Sequence, residues 1–493
     1  MTWDPKFAMR DVSRMSSVSS VVRKPNRERG RWFPRKRPGL LVAAAVLFVA
    51  MLTGDPAGAS GSIRFGHAVV AIPYPGTVTK PGRPEPTSEP RILIAKDGRI
   101  LVAAQFEMWD CQTGQPLANT GITYQGFGTD EQRACVWASS DGGRTFHIIG
   151  GDCCQNGDDV SLAQTPVSGT LLEEYMSNIG AGLGLPGLSV SRSTDNGKTW
   201  TFQLDADKQV VQDRPFVLAE SESNVLISFT TAPGNIFVMR SHDQGRTWSL
   251  PLPVMPVPPA LVLSLNGEPT VDTLRHELVL SYAYSTSLLA GVVGSTGSFN
   301  VIGIARSKDH GATWTTETAA TLPAGHGVLS VPTLTSDVRG HEYLAYDAPI
   351  GSHGVGAFLL RSDRDGSWSK PIRVDPVGGS AMEPSVRATG NGHLAVAYYH
   401  STAADALDNV RDWTTDVAVS RDGGTTFTYA SASHHVVYVG SEANAMSTLF
   451  DLLAVAIDHR GHVNVVWTDD GTTHPNDIKT QIEFARQIGG PPL

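Results

Sequence analysis

Short runs rich in β-branched and aromatic residues recur along the chain at Ile100–Ala104, Leu171–Tyr175, Val225–Phe229, Leu278–Tyr284, Tyr343–Tyr346 and Leu394–Tyr399. Runs of this length and composition, bounded by polar turns, predict buried strands rather than helices. Each is preceded by a second apolar run that opens on an acid or a proline: Glu89-Pro90-Arg91-Ile92, Asp158-Asp159-Val160, Asp213-Arg214-Pro215-Phe216, Glu268-Pro269-Thr270-Val271, Val331-Pro332-Thr333-Leu334 and Glu383-Pro384-Ser385-Val386. Each is followed by a third run that ends in an octapeptide, Ser-x-Asp-x-Gly-x-Thr-Trp/Phe. Copies lie at Ser139–Phe146, Ser193–Trp200, Ser241–Trp248, Ser307–Trp314 and Ser420–Phe427, with a shortened one at Ser362–Trp368. Their acids, at positions 141, 195, 243, 309, 365 and 422, are 54, 48, 66, 56 and 57 residues apart. A period of that size marks a repeated supersecondary unit, and four antiparallel strands per repeat make a propeller blade.

A further unit, Leu452–Ile457, Val463–Trp467 and Thr480–Ala485, follows the last copy and lacks both an octapeptide and a fourth strand. The segment Ile63–Ile72 supplies the missing strand, so the two ends of the chain share one blade. The fold class read here is all-β: a single β-propeller of four-stranded antiparallel blades, seven in number with six as the alternative, closed by an N-terminal strand. Closure leaves no free end strand to fray or pair with neighbours. The six prolines between Pro73 and Pro90 exclude a central strand and mark a connector over residues 73–90.

Residues 1–59 read as a separate leader. Eleven bases precede a thirteen-residue apolar stretch, Leu40–Leu52, and Ala57-Gly58-Ala59 offers small residues for cleavage before Ser60. A membrane anchor is the alternative, although roughly 20 apolar residues are needed to span a bilayer. The propeller is then residues 60–493, secreted or at the cell surface, and membrane-bound only through an uncleaved leader. Without residues 1–59 the net charge moves from −9 to about −16, which argues against nucleic acid as a partner. Cys111, Cys135, Cys153 and Cys154 fall within 44 residues, and in an exported chain they read as two disulfides of open connectivity. Their spacing does not suit zinc, so no metal ligands are assigned.

The octapeptide resembles the Asp-box, or bacterial neuraminidase, repeat of the sialidase-like superfamily. In that family the box is the turn between the third and fourth strands, which makes Asp141, Asp195, Asp243, Asp309 and Asp422 structural: one acid per blade on equivalent turns cannot converge on one substrate. The opposite face then holds the starts of the inner strands and the loops between second and third strands. It collects Asp213, Arg214, Glu268, Glu383 and Tyr399 as candidates for catalysis, and Glu89, Asp347, Tyr284, Tyr398, His400 and Arg411 as candidates for binding. Acids, tyrosines and arginine around a pit suit a carbohydrate, and a ring of acids also suits a cation such as Ca²⁺. No organic cofactor is implied.

Resemblance to sialidases implies three arginines on a substrate carboxylate, a tyrosine nucleophile with a partner glutamate, and a proton-handling aspartate. Aligning Pro90–Ala103 with the family's first strands puts Ser88 where its Arg-Ile-Pro arginine belongs. Seven-bladed Asp-box domains also occur in xyloglucan-degrading enzymes, as tandem pairs using paired carboxylates. The expected function is therefore an exported propeller that binds glycan or an extracellular protein on its top face without catalysis. The alternative is an exo-α-sialidase or another glycoside hydrolase.

Overall fold

The computed structural model describes residues 62–74, 87–107, 109–116, 133–151, 158–177, 187–206, 212–231, 234–255, 264–285, 299–323, 325–363, 366–445, 449, 452–470 and 480–493. The leader, Cys153, Cys154 and Asp365 lie outside them. No helix among the described residues is long and apolar enough to cross a membrane.

Seven antiparallel sheets follow one another along the chain. Blade 1 is built from Ser88–Ile94, Ile100–Gln105, Cys135–Ser139 and His147–Gly151, and blade 2 from Asp158–Gln164, Leu171–Ser177, Gly187–Ser193 and Thr201–Ala206. Blade 3 comprises Gln212–Ala219, Val225–Thr231, Asn235–Ser241 and Leu252–Pro253. In blade 4 the inner strand is split into Ser264–Asn266 and Thr270–Asp272, followed by Glu277–Tyr284, Val301–Ser307 and Thr315–Thr321. Blade 5 has Thr333–Ser336, Glu342–Ile350, Gly354–Ser362 and Ile372–Arg373; blade 6 has Ser380–Thr389, His393–Ser401, Arg411–Ser420 and Thr428–Ser431. Blade 7 joins Ala454–Ile457, Val463–Asp469 and Gln481–Gly489 to the N-terminal pieces Arg64–Phe65 and Val69–Ile72. Arg64 pairs with Gly489, and Val69 with Phe484, so the N-terminal segment closes the ring. The first inner strand begins at Ser88, inside the expected connector.

The five full octapeptides share one hydrogen-bond pattern. In blade 4, Ser307 Oγ donates to Asp309 Oδ1 (2.9 Å) and accepts from Gly311 N (2.8 Å). Thr313 donates its amide to Oδ1 (2.8 Å) and its hydroxyl to Oδ2 (2.6 Å). The same set recurs around Asp141, Asp195, Asp243 and Asp422. The Thr199 and Thr313 hydroxyl hydrogen bonds hold the carboxyls of Asp195 and Asp309 down at about 2.

The glycine of the turn is needed twice over. Gly245 has φ +78°, and a Cβ there would lie 2.7 Å from Leu172 Cδ2 of the preceding blade. The aromatic closes the equivalent seam one blade earlier: Trp200 Nε1 donates to Ile149 O of blade 1 at 3.0 Å. In the shortened copy, Asp363 N instead donates to Ser367 O (2.9 Å) and Gly366 N to Asp363 O (2.9 Å), which is a plain tight hairpin turn.

Octapeptide turns lie on the same face as the turns between first and second strands. Arg99, in such a turn of blade 1, donates to Asn196 O in the octapeptide of blade 2 (3.1 Å), and Gln244 Nε2 donates to Glu222 (2.6 Å) within blade 3. The inner-strand starts therefore share the opposite, top face with the loops between second and third strands.

Candidate active face

The inner strands begin on the top face with a repeated irregularity. Glu89, Asp159, Arg214 and Glu383 have φ of 50°, 34°, 51° and 53°, and each sits in a register shift at the head of its inner strand. An extra residue at a bulge turns its side chain and amide away from the ladder. The amides so released are captured by the preceding blade. Asp159 N donates to Gln105 Oε1 (3.0 Å), Arg214 N to Asp159 Oδ2 (2.7 Å) and Glu383 N to Asp347 Oδ2 (2.7 Å). The residues that open these strands thus stitch neighbouring blades together.

Two acid clusters result. Across blades 1 to 3, Asp213 receives a hydrogen bond from Arg214 Nη1, and its side chain is half-exposed. Desolvation at the strand head raises its carboxyl above the usual range; Arg214 opposes that rise and Asp159 adds to it. Glu174, fully buried and accepting from Ser161 Oγ at 3.1 Å, is raised well above the carboxylate range by burial. Across blades 5 and 6, Asp347 is buried and accepts from Ser330 N (2.9 Å), Ser330 Oγ (2.8 Å) and Glu383 N. Glu442, in the four-residue helix Glu442–Ala445, has one carboxyl oxygen covered and without a hydrogen-bond partner. Burial, then the charge of Asp347, pushes Glu442 up to about 8. It is a protonated acid at neutral pH, a state suited to donating a hydrogen bond or a proton.

Glu268 is placed elsewhere. Gly267 gives way to the carbonyl of Pro332 in blade 5, which would lie 2.0 Å from a Cβ, and the inner strand of blade 4 breaks around it. Glu268 consequently lines the axial channel with Arg91, Phe216, Ser385 and Arg387, and Arg387 Nη2 binds it at 2.5 Å. Burial opposes its ionisation, yet Arg387 and Arg91 hold it below the usual carboxylate range. Phe216, Val331 and Leu452, from blades 3, 5 and 7, pack together across the axis. Arg91 lies over the Phe216 ring at 4.9 Å.

The tyrosines are structural in this geometry. Tyr399 is fully buried; its hydroxyl donates to Thr468 O (3.4 Å) and accepts from Thr468 N (3.0 Å), joining blades 6 and 7. Tyr398 is buried in the core between blades 5 and 6, and Tyr284 stacks on Tyr282 at 6.0 Å. His400 pairs with Asp416 (2.8 Å), and Arg411 is held by Asp405 (2.9 and 2.6 Å) at the rim. Glu89 is buried at the head of blade 1. Sequence reasoning missed Glu174, whose signal is two consecutive acids inside an apolar strand. It also missed Glu442, which lies in a stretch outside the repeat.

Cys111 and Cys135 form a disulfide with Cα atoms 5.2 Å apart. It ties the top loop of blade 1 to the start of its third strand, and it is one of the pairings the sequence left open.

No known family profile matches the chain. The chain is similar to a xyloglucanase of a Paenibacillus species, 28% identical over 310 residues that make up 56% of this chain and 27% of that protein. It thus spans well under half the length of that curated relative. Among solved structures it is similar to an α-L-arabinofuranosidase of Fusarium graminearum, with a TM-score of 0.47, 14% identity and coverage of 86% of this chain and 97% of the other. It is also similar to the α-L-arabinanase of Penicillium chrysogenum, with a TM-score of 0.45, 12% identity and coverage of 85% and 98%.

Proposed function

We propose that this chain is an exported propeller of the glycoside-hydrolase type that holds a neutral glycan on its top face. The observation that carries the reading is the acid-lined top face itself, with Asp213 half-exposed beside Asp159 and Arg214. Two arginines assigned to that face from sequence, Arg214 and Arg411, are each engaged by an aspartate, and Ser88 stands at the expected clamp position. An anionic sugar would meet carboxylates there, whereas hydroxyl groups find acceptors. The likeness to a xyloglucanase supports a neutral polysaccharide as the ligand.

Hydrolysis is the second reading, and the raised carboxyl of Asp213 favours it, because a general acid works best with a pKa near the operating pH. Calorimetry of the purified full chain with xyloglucan and arabinan oligosaccharides and with sialosides tests the binding claim. Neutral oligosaccharides are expected to bind; binding of sialosides alone overturns it. A reducing-end assay on the bound glycan, with the Asp213→Asn variant alongside, separates the two readings. Turnover that disappears in the variant establishes catalysis, and binding without turnover leaves a carbohydrate-binding propeller.

A further inference from the structure

A second group of side chains lies at the top of the seam between blades 6 and 7, away from Asp213. Asp469 ends the second strand of blade 7, and Glu483 lies near the start of the third strand, cross-paired with Trp467. Residues i and i+2 of a strand share a face, so Asp469, Trp467 and therefore Glu483 project from the same side of the sheet. His435, in the loop after the outer strand of blade 6, comes down onto this pair. Its Nε2 lies 2.6 Å from Asp469 Oδ2 and 3.3 Å from Glu483 Oε2. One donor atom from each residue falls within 4.8 Å of the other two.

Three features set this group apart from an ordinary surface ion pair. Both carboxyl groups are buried, Asp469 at 3% and Glu483 at 7% exposure, so two acids are held side by side away from water. Glu483 Oε1 is fixed by Gln481 Nε2 (3.0 Å), while Oε2 is buried, has no hydrogen-bond partner and points at His435 Nε2. His435 Nδ1 donates to Ser433 O at 2.7 Å, which turns Nε2 toward the carboxylates, where it shares a proton with Asp469 at 2.6 Å and would offer its lone pair to a cation that displaces that proton. A backbone acceptor on the far nitrogen is how proteins orient a metal-binding histidine. Two buried carboxyl groups favour a positive charge between them, which the His435 ring supplies by taking a proton and a bound cation would supply in its place.

We propose that His435 Nε2, Asp469 and Glu483 form a binding site for a divalent first-row cation of the Zn²⁺ class. One nitrogen and two oxygens, with a fourth position open to solvent past the half-exposed imidazole, match a three-ligand site completed by water. A tetrahedron with ~2.05 Å bonds has edges of roughly 3.3 Å. The 2.6 Å contact between His435 and Asp469 therefore opens by rotation of the exposed ring, while the buried carboxylates stay in place. The site owes nothing to glycan binding, and its failure would leave the proposed function untouched.

The test uses the tag-free full chain, stripped with chelator and titrated with ZnSO4 by calorimetry at neutral pH. One Zn²⁺ per chain is expected, with a rise in melting temperature. Affinity should fall at least tenfold in His435→Gln and in Glu483→Gln. Glu483 is buried, so the melting temperature of each variant is taken without zinc; should Glu483→Gln fail to fold, the half-exposed His435→Gln decides alone. No binding by the parent protein, or undiminished binding by a folded His435→Gln, overturns the proposal. The second of these outcomes would place the ion on other histidines among the 15 in the chain.

Discussion

The amide of Glu383 in blade 6 donates to the carboxylate of Asp347 in blade 5 at 2.7 Å, and this bond is what holds a left-handed glutamate at the mouth of its strand. Asp347 also satisfies both polar groups of Ser330. Replacing it strands three donors in a buried seam. Asp347→Ala should cost about 2–3 kcal/mol in denaturant unfolding, and Asp347→Asn clearly less because one acceptor oxygen remains. Equal losses would mean that the charge, and not the acceptor, supports the seam.

The octapeptide glycine should be far less replaceable than an ordinary turn glycine. Gly245 and Gly351 both have positive φ, +78° and +64°, but a Cβ at Gly351 meets nothing within 4 Å while one at Gly245 runs into Leu172. Gly351→Ala should cost about 1 kcal/mol from backbone strain alone. Gly245→Ala should cost at least twice that, since the blade 2 seam must open. Thermal or urea unfolding of the two variants makes the comparison.

Acid should weaken the ring through its octapeptides. Asp195 and Asp309 titrate at about 2 in the fold and near 3.9 in the unfolded chain, so between those values the unfolded chain binds more protons. Their contribution is complete above about pH 4 and is lost as pH falls towards 2. Melting temperature should drop across that window, and the drop should be shallower in an Asp195→Asn, Asp309→Asn double variant. An unchanged profile would assign acid sensitivity elsewhere.

Glu442 runs the other way. Its folded carboxyl titrates at about 8, above its unfolded value, so the stability it lends is present below about pH 4.3 and is lost as pH rises to 8. Glu442→Gln should match the parent protein at pH 4 and melt higher at pH 8.5.

Reduction should loosen the top of blade 1. Cys111 and Cys135 close a loop of sequence separation 24, for which chain-entropy arguments give about 3 kcal/mol. Cys111→Ser, or reductant applied to the parent protein, should lower the melting temperature comparably.

The architecture was legible because a propeller repeats its punctuation. Six strand openings and the octapeptides set the blades, and the unpaired unit after Phe427 pointed back to Ile63–Ile72 for its missing strand. The top face was legible only in outline. In a propeller both faces of a second strand are covered by neighbouring blades, so nothing in the pattern distinguishes a buried Tyr399 from one facing a ligand. Glu268 looks like Glu89 and Glu383 in sequence, but Gly267 breaks the strand before it and shifts it into the channel. His435, Asp469 and Glu483 come from a loop and two strands spread over 49 residues, with no local spacing to announce them.

The pairing of Arg64 with Gly489 also orders events in time. A chain emerging from the ribosome makes Arg64 long before Gly489, so until Gly489 is made the nascent propeller can only be an open arc with an unpaired strand at each end. Such edges invite pairing with other chains until the final strand arrives. A chain truncated shortly before Gln481 would never leave that state, and its expected fate is aggregation rather than a smaller propeller.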